Sequence, residues 1–112
     1  MRFRGFLYSF AMKSVGKNFQ VASSVRLISL EKMSVGDNVY IAHQSIFICN
    51  GEIIIGDEVL FGPNVVAVAS AHQFDGSSYR FSKSNPHDII VGSGCWIGAN
   101  TTLVGELCIA EK

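Results

Sequence analysis

An apolar residue recurs every six positions along most of the chain, with two extra residues inserted after every third step. Twelve of the thirteen positions in this series are Val, Ile, Leu or Phe, although those four types make up only 36 of the 112 residues. A six-residue step does not fit the α-helical period, and two-residue alternation does not explain the grouping in threes. Self-similarity at a fixed period predicts a solenoid. The positions are Val15, Val21, Leu27, Val35, Ile41, Phe47, Ile55, Phe61, Ala67, Val91, Ile97, Leu103 and Ile109.

The residue after each step shows that the full repeat contains three groups of six. It is small after the first two steps and β-branched after the third, as in Gly36, Ala42 and Ile48. Each group therefore predicts a short strand and a corner, and three strands complete one triangular coil of 20 residues. Inward residues should stack on their counterparts one coil away, near the strand spacing of about 4.8 Å. The predicted columns are Val15–Val35–Ile55–Val91, Val21–Ile41–Phe61–Ile97 and Leu27–Phe47–Ala67–Leu103. An ordinary β-sandwich is the alternative, but its turns would be irregularly spaced.

Composition narrows the functional classes. Hydrophobic residues are 48% of the chain, and nine Lys and Arg balance nine Asp and Glu, so the sequence has no electrostatic footprint for nucleic acid or an anionic membrane. No apolar run is long enough to span a membrane. Three cysteines without CxxC spacing favour a reducing, cytoplasmic environment. Residues 1–14 carry too short an apolar stretch for an export signal and are predicted to cap a domain at 15–112.

The repeat breaks between Ala67 and Val91, which predicts a loop of 73–90 that protrudes between the third and fourth coils. Such loops on a rigid scaffold usually carry function. His72 stands where the coil meets this loop, and an imidazole that titrates near neutrality suits a general base for acyl transfer to a hydroxyl. A surface histidine at a loop base is the structural alternative. No metal-ligand cluster is evident, and no Ser or Cys lies beside a His as a covalent nucleophile would.

The motifs SVGDNVYIA, IIGDEVLFGPNV and IVGSGCWIGANTTLVGE resemble those of the hexapeptide-repeat acyltransferases over about residues 13–112. The resemblance implies a left-handed parallel β-helix of about four coils, a handedness that the pattern does not reveal. It also implies acetyl-CoA as co-substrate and a homotrimer with coenzyme sites between subunits. The sugar O-acetyltransferases are the most similar group. The stretch AHQFDGSSYRF also resembles xenobiotic acetyltransferases.

The resemblance assigns roles to particular residues. His72 matches the family's catalytic histidine. Trp96 should point outward, since it precedes an inward position, and the family places such a Trp, with the equivalents of Gly98 and Ala99, beside the coenzyme. Burial in a subunit interface is the structural alternative for Trp96. Asn50 matches a corner where sugar enzymes bind the acceptor, although a simple turn residue fits equally. The remaining acceptor candidates, in the loop, are Asp75, Tyr79 and Arg80.

The resemblance, together with the position of His72, implies an acetyl-CoA-dependent O-acetyltransferase in which His72 activates a hydroxyl of a small acceptor such as a sugar or polysaccharide precursor. A non-catalytic or truncated β-helical assembly protein is the first alternative, because the family continues for several coils where this chain has only GELCIAEK. An antibiotic acetyltransferase is the second. A zinc-dependent carbonic-anhydrase-like relative is less favoured, because the required His spacing is not evident.

Overall fold

The computed structural model describes Tyr8 and residues 10–72, 76–78, 84–105 and 107–109. This part of the chain folds into fifteen strands of two or three residues and a single turn of 3-10 helix, Leu30–Lys32, between the third and fourth strands. The strands are β1 (Ser14–Val15), β2 (Gln20–Val21), β3 (Arg26–Ile28), β4 (Met33–Val35), β5 (Tyr40–Ile41), β6 (Ile46–Ile48), β7 (Ile53–Ile55), β8 (Leu60–Phe61), β9 (Val66–Val68), β10 (Ser70–His72), β11 (Ser84–Pro86), β12 (Ile89–Val91), β13 (Trp96–Ile97), β14 (Thr102–Val104) and β15 (Leu107–Ile109).

Three parallel sheets form the faces of a β-helix. The first face has the order β1-β4-β7-β12-β15, the second β2-β5-β8-β13 and the third β3-β6-β9-β14. Apart from β10 and β11, which form a separate pair, every third strand returns to the same face, as the grouping in threes predicted. We call the turn from the first to the second face the first corner. The second corner leads to the third face, and the third corner leads back to the first.

The interior columns predicted from the repeat are confirmed. Val15 pairs with Val35, Val35 with Ile55 and Ile55 with Val91, and the other two columns keep the predicted partners in the same way. The second column and Phe47, Ala67 and Leu103 of the third are buried. Across these columns, the rings of Phe47 and Phe61 meet edge to face with centroids 5.0 Å apart. The core is thus a stack of apolar layers enclosed by three sheets.

The corners are held by backbone turns that repeat from coil to coil. Residues in the left-handed region stack at the first corner (Asn18, Asn38, Glu58 and Gly94) and at the second (Ser24, Gln44, Asn64 and Asn100). The small residue that follows the first face is explained by close approach, because a Cβ on Gly36 would lie 2.8 Å from the carbonyl carbon of Gly56. Asp57 adds a side-chain staple at the first corner, where its Oδ1 accepts the Asp37 N–H at 2.7 Å.

The inserted loop has a defined base. Strands β10 and β11 pair antiparallel, with Ser70 opposite Pro86 and His72 opposite Ser84. We call this pair the loop base. The parallel repeat resumes with β12 at Ile89, so residues 89 and 90 belong to a coil and not to the predicted loop of 73–90. The strand begins earlier than predicted because Ile89 pairs with Ile53 on the first face.

At the other end of the helix, Tyr8 and Met12 pack against the core, and the Tyr8 hydroxyl donates a hydrogen bond to the Val25 carbonyl at 3.2 Å. Within the described residues, no helix has the length and apolar character needed to cross a membrane.

Candidate active site

A groove of about 380 Å³ lies along the third corner, beside the loop base. This volume is within the range of small-molecule sites. The side chains and backbone that line the groove come from the segments that precede β1, β4, β7 and β12, so the repeat itself brings them together. We call it the corner groove, and its lining residues are Lys13, Glu31, Lys32, Asn50, Gly51, Glu52, Pro86 and Asp88.

Charged groups of the corner groove are paired in a definite way. Lys13 and Glu52 form an ion pair of 2.5 Å between Nζ and Oε1. Lys32 Nζ donates to the Asn50 carbonyl at 2.7 Å, and Asp88 Oδ1 accepts the Glu52 N–H at 2.9 Å. The groove therefore presents polar donors and acceptors that are suited to a hydroxyl-rich ligand.

Asn50, predicted to contact the acceptor, does line the corner groove, and its side chain is exposed. Its backbone carbonyl also accepts the hydrogen bond from Lys32 Nζ. The other predicted acceptor residues, Asp75, Tyr79 and Arg80, lie outside the described part of the chain.

The backbone of His72 lies on β10, and its side chain lies outside the described part of the chain. Strand β10 starts at Ser70, directly opposite Pro86, which lines the corner groove. The predicted general base is therefore carried by a strand that leaves the rim of the groove, two residues from it.

The predicted coenzyme residues lie elsewhere in the chain. Trp96 is 71% exposed on the second face, as predicted, beside Leu60 of the preceding coil, which is 42% exposed. Gly98 and Ala99 follow at the second corner, where the Thr101 hydroxyl donates to the Gly98 carbonyl at 2.8 Å. In a three-sided helix the second face is opposite the third corner. One chain therefore does not bring Trp96 and the corner groove together.

Cys49 adjoins the corner groove but is unsuited to carrying an acyl group. The residue is fully buried, and burial, aided by the Glu31 carboxylate, raises the pKa of its thiol to about 11. Because the thiolate is the nucleophile, this thiol is inert near neutral pH. Among the described residues, no three His, Cys, Asp or Glu side chains cluster in a way that could hold a metal ion.

The charged residues of the corner groove were missed in the sequence. A signal was available, because Lys32, Glu52 and Asp88 each stand three residues before an interior position of the first column. In a parallel solenoid such equivalent residues stack at one corner, so three charges at one repeat position predict a charged stripe.

No protein-family model matches the chain. Among curated proteins, it is 24% identical over 110 residues to a putative colanic acid biosynthesis acetyltransferase, WcaF, of Escherichia coli, covering 98% of this chain and 59% of that protein. It is also 32% identical over 85 residues to the bifunctional protein GlmU of Lawsonia intracellularis, covering 76% of this chain and 16% of that protein. The chain thus spans less than two thirds of these relatives.

Solved structures give the same picture. A maltose O-acetyltransferase from Clostridium difficile superposes with a TM-score of 0.88 at 25% identity, over 96% of this chain and 57% of that one. A hexapeptide-repeat acetyltransferase from Vibrio cholerae, solved with acetyl coenzyme A, superposes with a TM-score of 0.73 at 17% identity, over 96% and 68%. These matches confirm the predicted left-handed parallel β-helix. By sequence and structure the chain is similar to hexapeptide-repeat acetyltransferases, with a sugar O-acetyltransferase among the proteins it resembles.

Proposed function

We propose that the chain supplies the catalytic β-helix of an acetyl-CoA-dependent O-acetyltransferase whose acceptor is a small hydroxyl compound such as a sugar. The observation that carries this proposal is the superposition of nearly the whole chain on a maltose O-acetyltransferase, with a polar groove beside the strand that bears His72. The curated acetyltransferase relative supports the same reaction class.

In the proposed reaction His72 acts as general base. It takes the proton of an acceptor hydroxyl as that oxygen attacks the acetyl carbonyl of the thioester. The new C–O bond forms, the C–S bond breaks, and the imidazolium returns its proton to the departing thiolate. The corner groove holds the acceptor through its polar lining, with Asn50 as a direct contact. No covalent acyl-enzyme is needed, in keeping with the inert thiol of Cys49.

Acetyl-CoA would bind along the second face. Trp96 offers an exposed apolar surface for the pantetheine arm, and the backbone at Gly98 and Ala99 offers polar groups for its amides. Because this surface is opposite the corner groove, a complete site requires the groove of one copy and the Trp96 surface of another. A closed homotrimer meets this requirement with three equivalent interfaces. We place this reaction in the cytoplasm, where acetyl-CoA is available and where the three cysteines, none of them in a disulfide, stay reduced.

The test is thiol release from acetyl-CoA with a panel of mono- and disaccharides and a hydroxyl-bearing antibiotic, with product masses measured. The wild-type protein should acetylate at least one sugar, and His72→Ala should lower kcat by about 100-fold or more, as expected for loss of a general base. His43→Ala is the matched control, since His43 is exposed at the second corner and its imidazole hydrogen-bonds with the hydroxyl and the carbonyl of Ser23 in the preceding coil.

Coenzyme binding is measured separately by calorimetry. Trp96→Ala should weaken acetyl-CoA binding, whereas Val104→Ala, which removes a side chain 55% exposed on the third face, should not. Acetylation of the antibiotic alone would favour a xenobiotic enzyme. An absence of coenzyme binding at millimolar concentration would refute acetyl transfer and leave a non-catalytic assembly protein.

A further inference from the structure

The segment that leads from the loop base back into the helix docks on one turn of the third corner. The Gly51 and His87 N–H groups both donate to the Ala69 carbonyl, at 2.7 and 3.1 Å. The Ile89 N–H donates to the Glu52 carbonyl at 2.9 Å, and Asp88 Oδ1 accepts the Glu52 N–H at the same distance. Three of these hydrogen bonds join the two ends of the loop to residues 50–52, and the fourth, from His87 to Ala69, joins the two ends to each other. We call residues 50–52 the seat.

The seat also holds this segment by close packing. A Cβ on Gly51 would lie 2.5 Å from the His87 carbonyl oxygen and 2.9 Å from the His87 nitrogen. Real Cβ atoms do not approach backbone so closely, so only glycine permits His87 to pack at this distance. The docking thus depends on two residues, on the absence of a side chain at Gly51 and on the carboxylate of Asp88.

A displacement of the segment that contains His87 and Asp88 would also displace the backbone of His72, the predicted general base. Pro86 precedes His87 directly and is the last residue of β11, where it pairs with Ser70 of β10. His72 lies two residues farther along β10, at the far end of the same pairing. The position of the His72 backbone therefore depends on where His87 and Asp88 rest.

We propose that Gly51 and Asp88 are positioning residues, which set the place of His72 relative to the corner groove by docking the returning segment on the seat. The proposal rests on the proposed function, in which His72 is the general base. A misplacement of about 1 Å at a catalytic group can cost a factor of about 100 in rate. The seat therefore influences turnover without touching the reacting atoms.

Asp88 also lines the corner groove, so a direct contact between its charge and the acceptor is the competing role. Asp88→Asn separates the two roles, because the amide oxygen can still accept the Glu52 N–H while the charge is lost. Asp57→Ala is the matched control, since Asp57 makes the same kind of side-chain staple to the Asp37 N–H at the first corner, away from the groove.

The experiment measures kcat and the acetyl-CoA KM for the full chain with the best acceptor of the saccharide panel. Asp88→Ala should lower kcat by about tenfold or more with the acetyl-CoA KM unchanged. Asp88→Asn, which keeps an oxygen for the Glu52 N–H, should lose clearly less of kcat than Asp88→Ala, and Asp57→Ala should remain within about twofold of wild type. Gly51→Ala should lower kcat as Asp88→Ala does. Equal losses in Asp88→Asn and Asp88→Ala, or full activity in Asp88→Ala, would overturn the proposal.

Two measurements keep the seat testable if no acceptor is turned over. The first is the hydrogen-exchange rate of the Glu52 amide. The second is the set of NMR chemical shifts of the His72 imidazole, which are assigned with the His72→Ala variant and depend on the surroundings of the ring. Asp88→Ala should speed exchange at Glu52 and shift the His72 signals, whereas Asp57→Ala should do neither. Unchanged His72 signals in Asp88→Ala would refute the seat whether or not the protein is an acetyltransferase, and shifted signals with no turnover would refute only the enzyme.

Discussion

Ala67 is the one interior position of the repeat that is not Val, Ile, Leu or Phe, and it tests how the core is packed. Ala67→Leu restores the repeat pattern, and a substitution toward the consensus typically raises the free energy of unfolding by about 0.5–2 kcal/mol. The structure predicts the opposite. Ala67 is fully buried, stacks on Phe47 and shares its coil with Phe61, and the two rings meet edge to face. The space beside Ala67 is therefore filled by aromatic rings.

The magnitude follows from overpacking. Three added carbons in a filled interior force rotamer and backbone shifts that cost about 1–3 kcal/mol. For a domain of this size each kcal/mol lowers the Tm by about 4–8 °C. Urea unfolding followed by far-UV circular dichroism, at one protein concentration, gives the change in free energy of unfolding.

A double-mutant cycle identifies the cause. Phe61→Leu alone should also destabilise, but it opens space, so Ala67→Leu should cost less in the Phe61→Leu background than in the wild type. A stabilising effect of Ala67→Leu in the wild type, or additive effects of the two changes, would refute this account of the core.

Three further predictions follow from burial and hydrogen bonding. Phe61→Ala should lower the free energy of unfolding by about 3–5 kcal/mol, since the ring is fully buried, and a loss below 1 kcal/mol in urea unfolding would contradict the assigned core. Asp57→Ala should cost only about 0.5–1.5 kcal/mol in the same assay, because it removes one exposed side-chain hydrogen bond. The Cys49 thiol, with its pKa raised to about 11, contributes stability that is present below its unfolded pKa near 9 and is lost as pH rises through 11. The fall in unfolding free energy between pH 9 and 11 should therefore be smaller in Cys49→Ala, and identical profiles would refute that reasoning.

The interior of the β-helix was predictable because its repeat is local. Each group of six residues contains one inward-facing residue at a fixed position, so all three columns and their pairing followed from the spacing alone. The spacing of the interior residues also predicted the size of the insertion. Ile55 and Val91 pair although they are 36 residues apart, whereas paired residues in the earlier coils are 20 residues apart. The outward direction of Trp96 came from the same register.

The corner groove was not predictable in the same way. Its lining joins four separate segments, and the pairing of Lys13 with Glu52 spans 39 residues that the hexad pattern does not constrain. The start of β12 at Ile89 was missed because the loop sequence has no repeat, and only pairing with Ile53 extends that strand. Left-handedness came from family resemblance, because an inward–outward pattern is the same for either hand.

The most direct test of a site shared between copies is complementation between two inactive variants. His72→Ala and Trp96→Ala are co-refolded in equal amounts and assayed at an acetyl-CoA concentration where neither variant alone is active. If the groove of one copy works with the Trp96 surface of its neighbour, random assembly restores both intact residues at about a quarter of the sites, so about a quarter of wild-type turnover should return. No recovery above the two separate variants would contradict a shared site, and full activity of His72→Ala alone would contradict its role as the base.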